Sequence, residues 1–224
     1  MKLNLVLAES ALELVPGEVR NDPSVVSDAR RRGVDASRIL LDRSFHHRAM
    51  LRLREGPKRG RPDLVHVTLL NITGTPLYSE GGVKVYVHTY ANEVIELQEK
   101  TRIPKSYFRF RGLLEQAFTE KPKTGLLRVR DSSFERLLKE IGSDSVVGLS
   151  TQGRKTSMDE LSAMIGAARK PCVVIGGFPA GHFSPKALEE MDELLRIHDK
   201  ALEAHVVAAR VIYEVERHAA RTND

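Results

Sequence analysis

The second half of the chain alternates between two kinds of segment. Strand-like "SVVGLS" (145–150) and "CVVIGG" (172–177) are β-branched apolar runs, separated by a helical pattern at 157–168 and preceded by another at 132–141. A strand that is apolar on both faces must be covered on both faces. Alternation with helices supplies that cover and lays successive strands in parallel. The pattern predicts an α/β domain with a parallel sheet, to which "LNLVLAE" (3–9) adds a further buried strand. A long helical-looking stretch follows from 184 to 218, interrupted at "LRIHDK" (195–200).

The first half is less regular. In "NDPSVVSDARRRG" (21–33), Asp22 caps a helix, Pro23 takes its first position and Gly33 stops it. "SRILLDRSFHHRAMLRLRE" continues the apolar pattern as a strand and then a helix, and "GPKRGRP" (56–62) breaks it. "DLVHVTLLNI" (63–72) suits a helix opened by Pro62, and "TGTPLYSEGG" reads as a loop. "VKVYVHT" and "EVIEL" around "YAN" predict a hairpin; "SYFRFRGLLEQAF" (106–118) predicts a helix; "LLRVR" after the "KPKTG" turn predicts a strand.

One cysteine, Cys172, excludes an internal disulfide and reads as a small packing residue. The apolar run near the N-terminus is too short for a signal sequence or a membrane span, and no later stretch is long enough. The expectation is a soluble, intracellular, cytoplasmic protein that does not contact membrane. His46, His47, His66 and His88 lack metal-binding spacing, so no metal site is expected. Hydrogen bonding in the core or at a subunit contact is the simpler role for them.

Two segments invite a functional reading. "CVVIGGFPAGHFSP" ends an apolar strand in glycines, where open α/β sheets bind ligands and where glycine lets backbone amides approach them. An ordinary strand-to-helix turn explains the same residues, and neither a dinucleotide fingerprint nor a Walker loop is present. "KTRIPKSYFRFRG" (100–112) holds five basic residues and no acid, in a chain of net charge +5. On one reading Phe108, Leu113, Leu114 and Phe118 form the apolar face of a helix while Arg109 and Arg111 point to water. On the other, the cations contact RNA phosphates.

"LLDRSFHH", "GRPDLVHVTLL", "VKVYVHT", "RIPKSYFRFRGLL" and "VVIGGFPAGHF", in this order and spacing, resemble the small-subunit ribosomal RNA pseudouridine-N(1) methyltransferase family of archaea and eukaryotes. That family consists of ribosome-biogenesis factors of the SPOUT, or α/β-knot, class. The resemblance covers nearly the whole chain, and the lean, insertion-poor chain looks archaeal. It implies a single SPOUT-like domain over 1–224, with added hairpin and helices, a C-terminal trefoil knot and a basic RNA-binding extension at about 54–125.

The resemblance also implies S-adenosylmethionine as methyl donor, small-subunit rRNA as partner and a homodimer, with Leu202, Val206 and Ile212 of the last helix available for core or contact. It places cofactor contacts at Gly176 and Gly181 and on Ile197, His198, Asp199, Lys200, Ala201 and Leu202, mostly through backbone atoms. It places RNA contacts at Arg61, Arg102, Lys105 and Arg109, with Asp63 orienting Arg61. Asp42 falls near the target base without an assigned role, and no catalytic base is named. A non-catalytic RNA-binding assembly factor for the small subunit is the rival function.

Overall fold

The computed structural model describes residues 2–122 and 125–223. Its frame is one seven-stranded sheet. The strands are β1 (Leu3–Ser10), β2 (Val83–Thr89), β3 (Glu93–Leu97), β4 (Leu127–Asp131), β5 (Ser145–Lys155), β6 (Pro171–Gly176) and β7 (Glu193–Arg196). They lie in the order β4-β3-β2-β1-β6-β5-β7. The five from β2 to β7 run parallel, and β3 and β4 extend one edge as an antiparallel ribbon. The expected α/β class and the hairpin are both present. The turn expected at "KPKTG" includes residues 123 and 124, which lie outside the described residues.

Alternate residues of the strands feed two cores. Leu3, Leu5, Leu7, Val85, Val87, Val173 and Ile175 point to one face. That face is covered by α3 (Pro62–Thr73), α4 (Pro76–Ser79), α5 (Tyr107–Glu120), α7 (Met158–Ala167) and α9 (Ala204–Asn223). Val6, Ala8, Tyr86, Cys172 and Val174 point to the other, under α6 (Phe134–Ile141) and α8 (Pro185–Glu189). Cys172 packs there as expected, and burial pushes its thiol up to about 12. A satellite cluster joins α1 (Pro23–Arg32) to α2 (Arg43–Met50) through Val25, Ala29, Ala49 and Met50. Among the described residues, no helix is long and apolar enough to cross a membrane.

Local chemistry explains the helix starts. Asp22 accepts the Ser24 amide, with Pro23 at the first position of α1 and Gly33 left-handed after its end. Pro62 opens α3.

Four expectations need correction. The run Ile39–Leu41 forms no named strand: Leu40 makes a single bridge to Leu14, and its amide bonds to the Glu115 carboxylate. Backbone groups satisfied in this way need no ladder. The "TGTPLYSEGG" loop contains α4, because Thr75 caps it and Pro76 starts it. The stretch from 184 is not a long interrupted helix. It is α8, then β7, then an irregular turn, then α9.

The register of α5 differs from the apolar face read from its sequence. Phe110 is fully buried, stacked on His66 at 4.4 Å, whereas Phe108 is 66% exposed and Arg111 only 8%. The apolar face is therefore Phe110, Leu114, Ala117 and Phe118.

Candidate cofactor and RNA site

A cavity of about 480 Å³ opens beside the middle of β5 and the carboxyl ends of β6 and β7. Its floor is Leu149, Ser150, Thr151 and Ile175. β5 supplies part of this wall because its register against β7 breaks between Leu149 and Arg154, releasing the residues between. One side wall is the loop from Gly176 to Phe183; the other is the turn from Ile197 to Glu203. Of the cofactor residues expected, Gly176, Gly181, Ile197, His198, Lys200, Ala201 and Leu202 line this one space. Asp199 does not. It is exposed, with its carboxylate 3.8 Å from Arg196.

The two wall segments are irregular for identifiable reasons. Gly181 has φ +89°, a conformation that strains any residue with a side chain. A Cβ on Gly177 would lie 2.1 Å from Ser10 Oγ and 2.8 Å from its Cα, so only glycine lets β6 leave the sheet this close to β1. The Gly177 amide donates to Ala8 O, and the Ala11 amide donates to Gly177 O. In the second wall, His198 Nδ1 accepts the Lys200 amide at 3.1 Å. Its ring thereby braces the turn.

The glycine loop is also held from behind. Glu9, next to last in β1, has a non-glycine φ of +50°, where the β1–β2 register breaks between Leu7 and Ser10. A break of this kind re-aims a side chain. The Glu9 carboxylate accepts the Ser184 amide at 3.1 Å and Lys58 Nζ at 2.5 Å. Lys58 in turn donates to His182 O at 2.8 Å and sits 4.3 Å from the centre of the Phe178 ring. Two of the three cations in "GPKRGRP" are thus internal braces, since Arg59 is likewise buried against Glu13 at 2.6 and 2.7 Å. Only Arg61 reaches the cavity.

This cavity fits an S-adenosyl group. Its volume falls in the range of small-molecule sites, about 300–1,000 Å³. Apolar surface from Leu64, Leu149, Ile175, Leu202 and Val207 alternates with free polar groups. Among the described residues, the amides of Gly181, His182, Ala201 and Leu202 have no partner within the protein. Arg196 Nε, on a residue lining the wall, is buried and unpaired.

Arg61 precedes α3 at the cavity mouth. Its Nε and Nη2 donate to the two oxygens of Asp63, both at 2.8 Å, a bidentate contact that fixes the guanidinium plane. Burial alone would raise the Asp63 pKa, but the hydrogen bonds and charge of Arg61, together with the backbone amides of Leu64 and Asp63, hold the carboxyl below its ordinary value.

The basic stretch is tied to the same mouth. His66 Nε2 of α3 lies 2.7 Å from Pro104 O, and the ring contacts Tyr107 and Phe110. The Tyr107 hydroxyl donates to Asp42, which also caps α2. Burial and that carboxylate keep the phenol protonated far above its usual range. Arg102, Lys105 and Arg109 are exposed and pair with no carboxylate among the described residues. None of the three lines the cavity.

Of the four histidines singled out in the sequence, His46, His66 and His88 are buried hydrogen-bonding groups and His47 is exposed. His46 Nδ1 accepts the Asp42 amide; His88 Nδ1 accepts the Glu9 amide, with its Nε2 3.2 Å from Asn92 Oδ1. Burial pushes both pKa values down. Among the described residues, no group of three or more His, Cys, Asp or Glu could hold a metal ion. Sequence reasoning missed Ser150, Thr151, Phe178 and Arg196. A strand-end rule applied to β5 would have found the first two; Arg196, a charge in an apolar run, was a visible signal.

The sequence model of the EMG1/NEP1 methyltransferase family matches residues 5–216. The chain is 39% identical over 217 residues to the ribosomal RNA small subunit methyltransferase Nep1 of Thermococcus sibiricus, covering 96% of this chain and 97% of that protein. It is 42% identical over 217 residues to the protein of the same name from Pyrobaculum islandicum, covering 95% and 96%. The crystal structure of Archaeoglobus fulgidus Nep1 bound to S-adenosylhomocysteine superposes with a TM-score of 0.87 at 34% identity, covering 98% of this chain and 100% of that one. With a match that runs from the first strand into the last helix, the chain belongs to the EMG1/NEP1 methyltransferase family.

Proposed function

We propose that this protein transfers a methyl group from S-adenosylmethionine to the ring N(1) of a pseudouridine in small-subunit rRNA, in ribosome biogenesis. The observation that carries the reading is the convergence of one apolar, amide-lined cavity and the Asp63-oriented Arg61 at its mouth, in a chain whose relatives bear the name of an rRNA small subunit methyltransferase. When bound, S-adenosylmethionine supplies a methyl group already activated on a sulfonium.

The protein's own work is placement and charge. Gly176, Gly181 and the Ile197–Leu202 turn present backbone groups and apolar walls to the cofactor. Arg102, Lys105 and Arg109, on the segment at about 54–125, hold RNA phosphates beside the mouth. The target base leaves its stack to enter. Pseudouridine exposes a ring N–H where uridine has its glycosidic bond. As that proton leaves, charge develops on the ring, and Arg61 stands ready to offset it in a fixed plane. Holding the nitrogen in line with the methyl group supplies much of the remaining rate enhancement.

The reading includes the trefoil knot. In its support, the chain leaving β6 must pass β5 to reach β7 on its far side, and α9 then returns to pack on α3 and α7. Gly153 of β5 allows a close crossing: a Cβ there would lie 2.5 and 2.6 Å from the Leu195 and Leu194 backbone. The reading also includes a homodimer, supported by exposed Val67 and Tyr213 on the packed pair α3 and α9.

The test is methyl transfer to a small-subunit rRNA hairpin carrying pseudouridine at one loop position, beside the same hairpin with uridine there. Methylation of the first alone is expected. Equal methylation of both, or of neither, would reject the substrate.

A further inference from the structure

We infer that Phe108 is the open outer layer of a cation–aromatic stack built to receive an unpaired nucleobase of the RNA. The inference rests on the RNA-binding reading above and adds a base contact to a surface so far described only through its cations. The stack has four layers, drawn from three helices. The guanidinium carbon of Arg31, in α1, is 5.4 Å from the centre of the Phe45 ring in α2. That of Arg111, in α5, is 5.3 Å from the centre of Phe45 and 5.3 Å from the centre of Phe108. Cations within about 6 Å of a ring centre are attracted to its face. The order is therefore Arg31, Phe45, Arg111, Phe108.

Arg111 is the inner support. It is 8% exposed, and its Nε is buried with no hydrogen-bond partner among the described residues. Two rings hold this cation between them. Phe108 then closes the series with 66% of its surface open. An exposed aromatic at the start of a helix gains little for the fold from that position. Its neighbours, Arg102, Lys105 and Arg109, are exposed cations without carboxylate partners among the described residues.

Charge chooses the occupant. A ring surrounded by unpaired cations suits a polyanion that also carries flat apolar groups. A polynucleotide with splayed bases has both, and aromatic side chains are the usual platforms for such bases. A base inside a duplex has its faces already covered. A second copy of this chain, itself of net charge +5, would bring like charge to the patch.

The chain contains no tryptophan, which makes the test direct. Binding of the wild type, Phe108→Leu and Phe108→Trp is measured on an rRNA hairpin with an unpaired loop and on a fully paired RNA duplex of equal length. Phe108→Leu should weaken hairpin binding about tenfold and leave duplex binding unchanged, since stacking on one aromatic carries an effect of that order. Phe108→Trp should keep hairpin affinity, and its single indole should be quenched by the hairpin and not by the duplex. Full hairpin affinity in folded Phe108→Leu, or an indole unmoved by saturating hairpin, overturns the inference while leaving the RNA reading intact. The Arg102→Ala/Arg109→Ala double variant tests that reading separately: full hairpin affinity there rejects the RNA surface as a whole, and the inference with it. A change of oligomeric state in Phe108→Leu, with RNA affinity unchanged, would assign the ring to a protein contact instead.

Discussion

At the scale of single residues the site depends on carboxylates that aim cations. Asp63 holds Arg61 by two hydrogen bonds of 2.8 Å. Asp63→Asn removes the charge and one acceptor, leaving the guanidinium free to turn. With the pair half exposed to solvent, the expected loss is about tenfold in RNA affinity, the lower end for a charge-assisted bidentate contact. Cofactor affinity should not change, which titration calorimetry can check on the same sample. The pH dependence has a definite sign. The folded pKa of Asp63 is lowered, so its contribution is complete above the ordinary carboxyl value of 3.8 and fades only as pH falls through the lower folded value. RNA binding measured from pH 5 to 8 should show no step from this group. The sequence shows these two residues but not their geometry; a carboxylate after Pro62 is equally a helix-start residue, and only the fold shows that it turns back to Arg61.

At the scale of elements, the glycine loop separates two effects that one motif conceals. Gly181 stands in open space with φ +89°, whereas Gly177 is pressed against Ser10. Gly181→Ala should therefore fold, cost about 1–2 kcal/mol of local strain, relax the loop and lower S-adenosylhomocysteine affinity about tenfold. Gly177→Ala must push β6 from β1 and should lower stability by about 1–3 kcal/mol, as overpacking does. Thermal melts and calorimetry on both variants check this. A larger stability loss at Gly181 than at Gly177 would reverse the assignment. Most elements were legible because their signals are local: Asp22 and Pro23 for α1, Pro62 for α3, the β-branched runs for β5 and β6. β7 was not. Its four residues, Glu193–Arg196, sit in a helix-like pattern, and what makes them a strand is pairing with Val147–Leu149, more than forty positions earlier. The face of α5 was misjudged for a similar reason: His66, far away in sequence, selects Phe110 for burial over Phe108.

The whole molecule joins these parts through one sheet. The segment from 54 to 125 contributes β2 and β3 to it as well as the basic surface, so the exposed cations and the walls of the cavity are built on the same sheet. The proposed homodimer belongs to this scale. Light scattering at micromolar concentration should give twice the 25.0 kDa of the chain. Tyr213→Glu, on the exposed side of α9, should shift it toward the monomer without lowering the helical signal in circular dichroism. A monomeric wild type would remove the dimer from the proposal.

The position of β1 has a consequence for how the chain is made. It lies at the centre of the sheet, with Asn4 opposite Lys84 on one side and Cys172 on the other. Translation runs at about 5–20 residues per second. After β2 has emerged, the leucine-rich edge that β6 will cover thus stays bare for roughly four to seventeen seconds while the intervening chain is made. An open apolar strand edge is a template for pairing with the wrong chain. The growing protein should therefore draw chaperones during this interval and release them once residues 171–176 clear the ribosome.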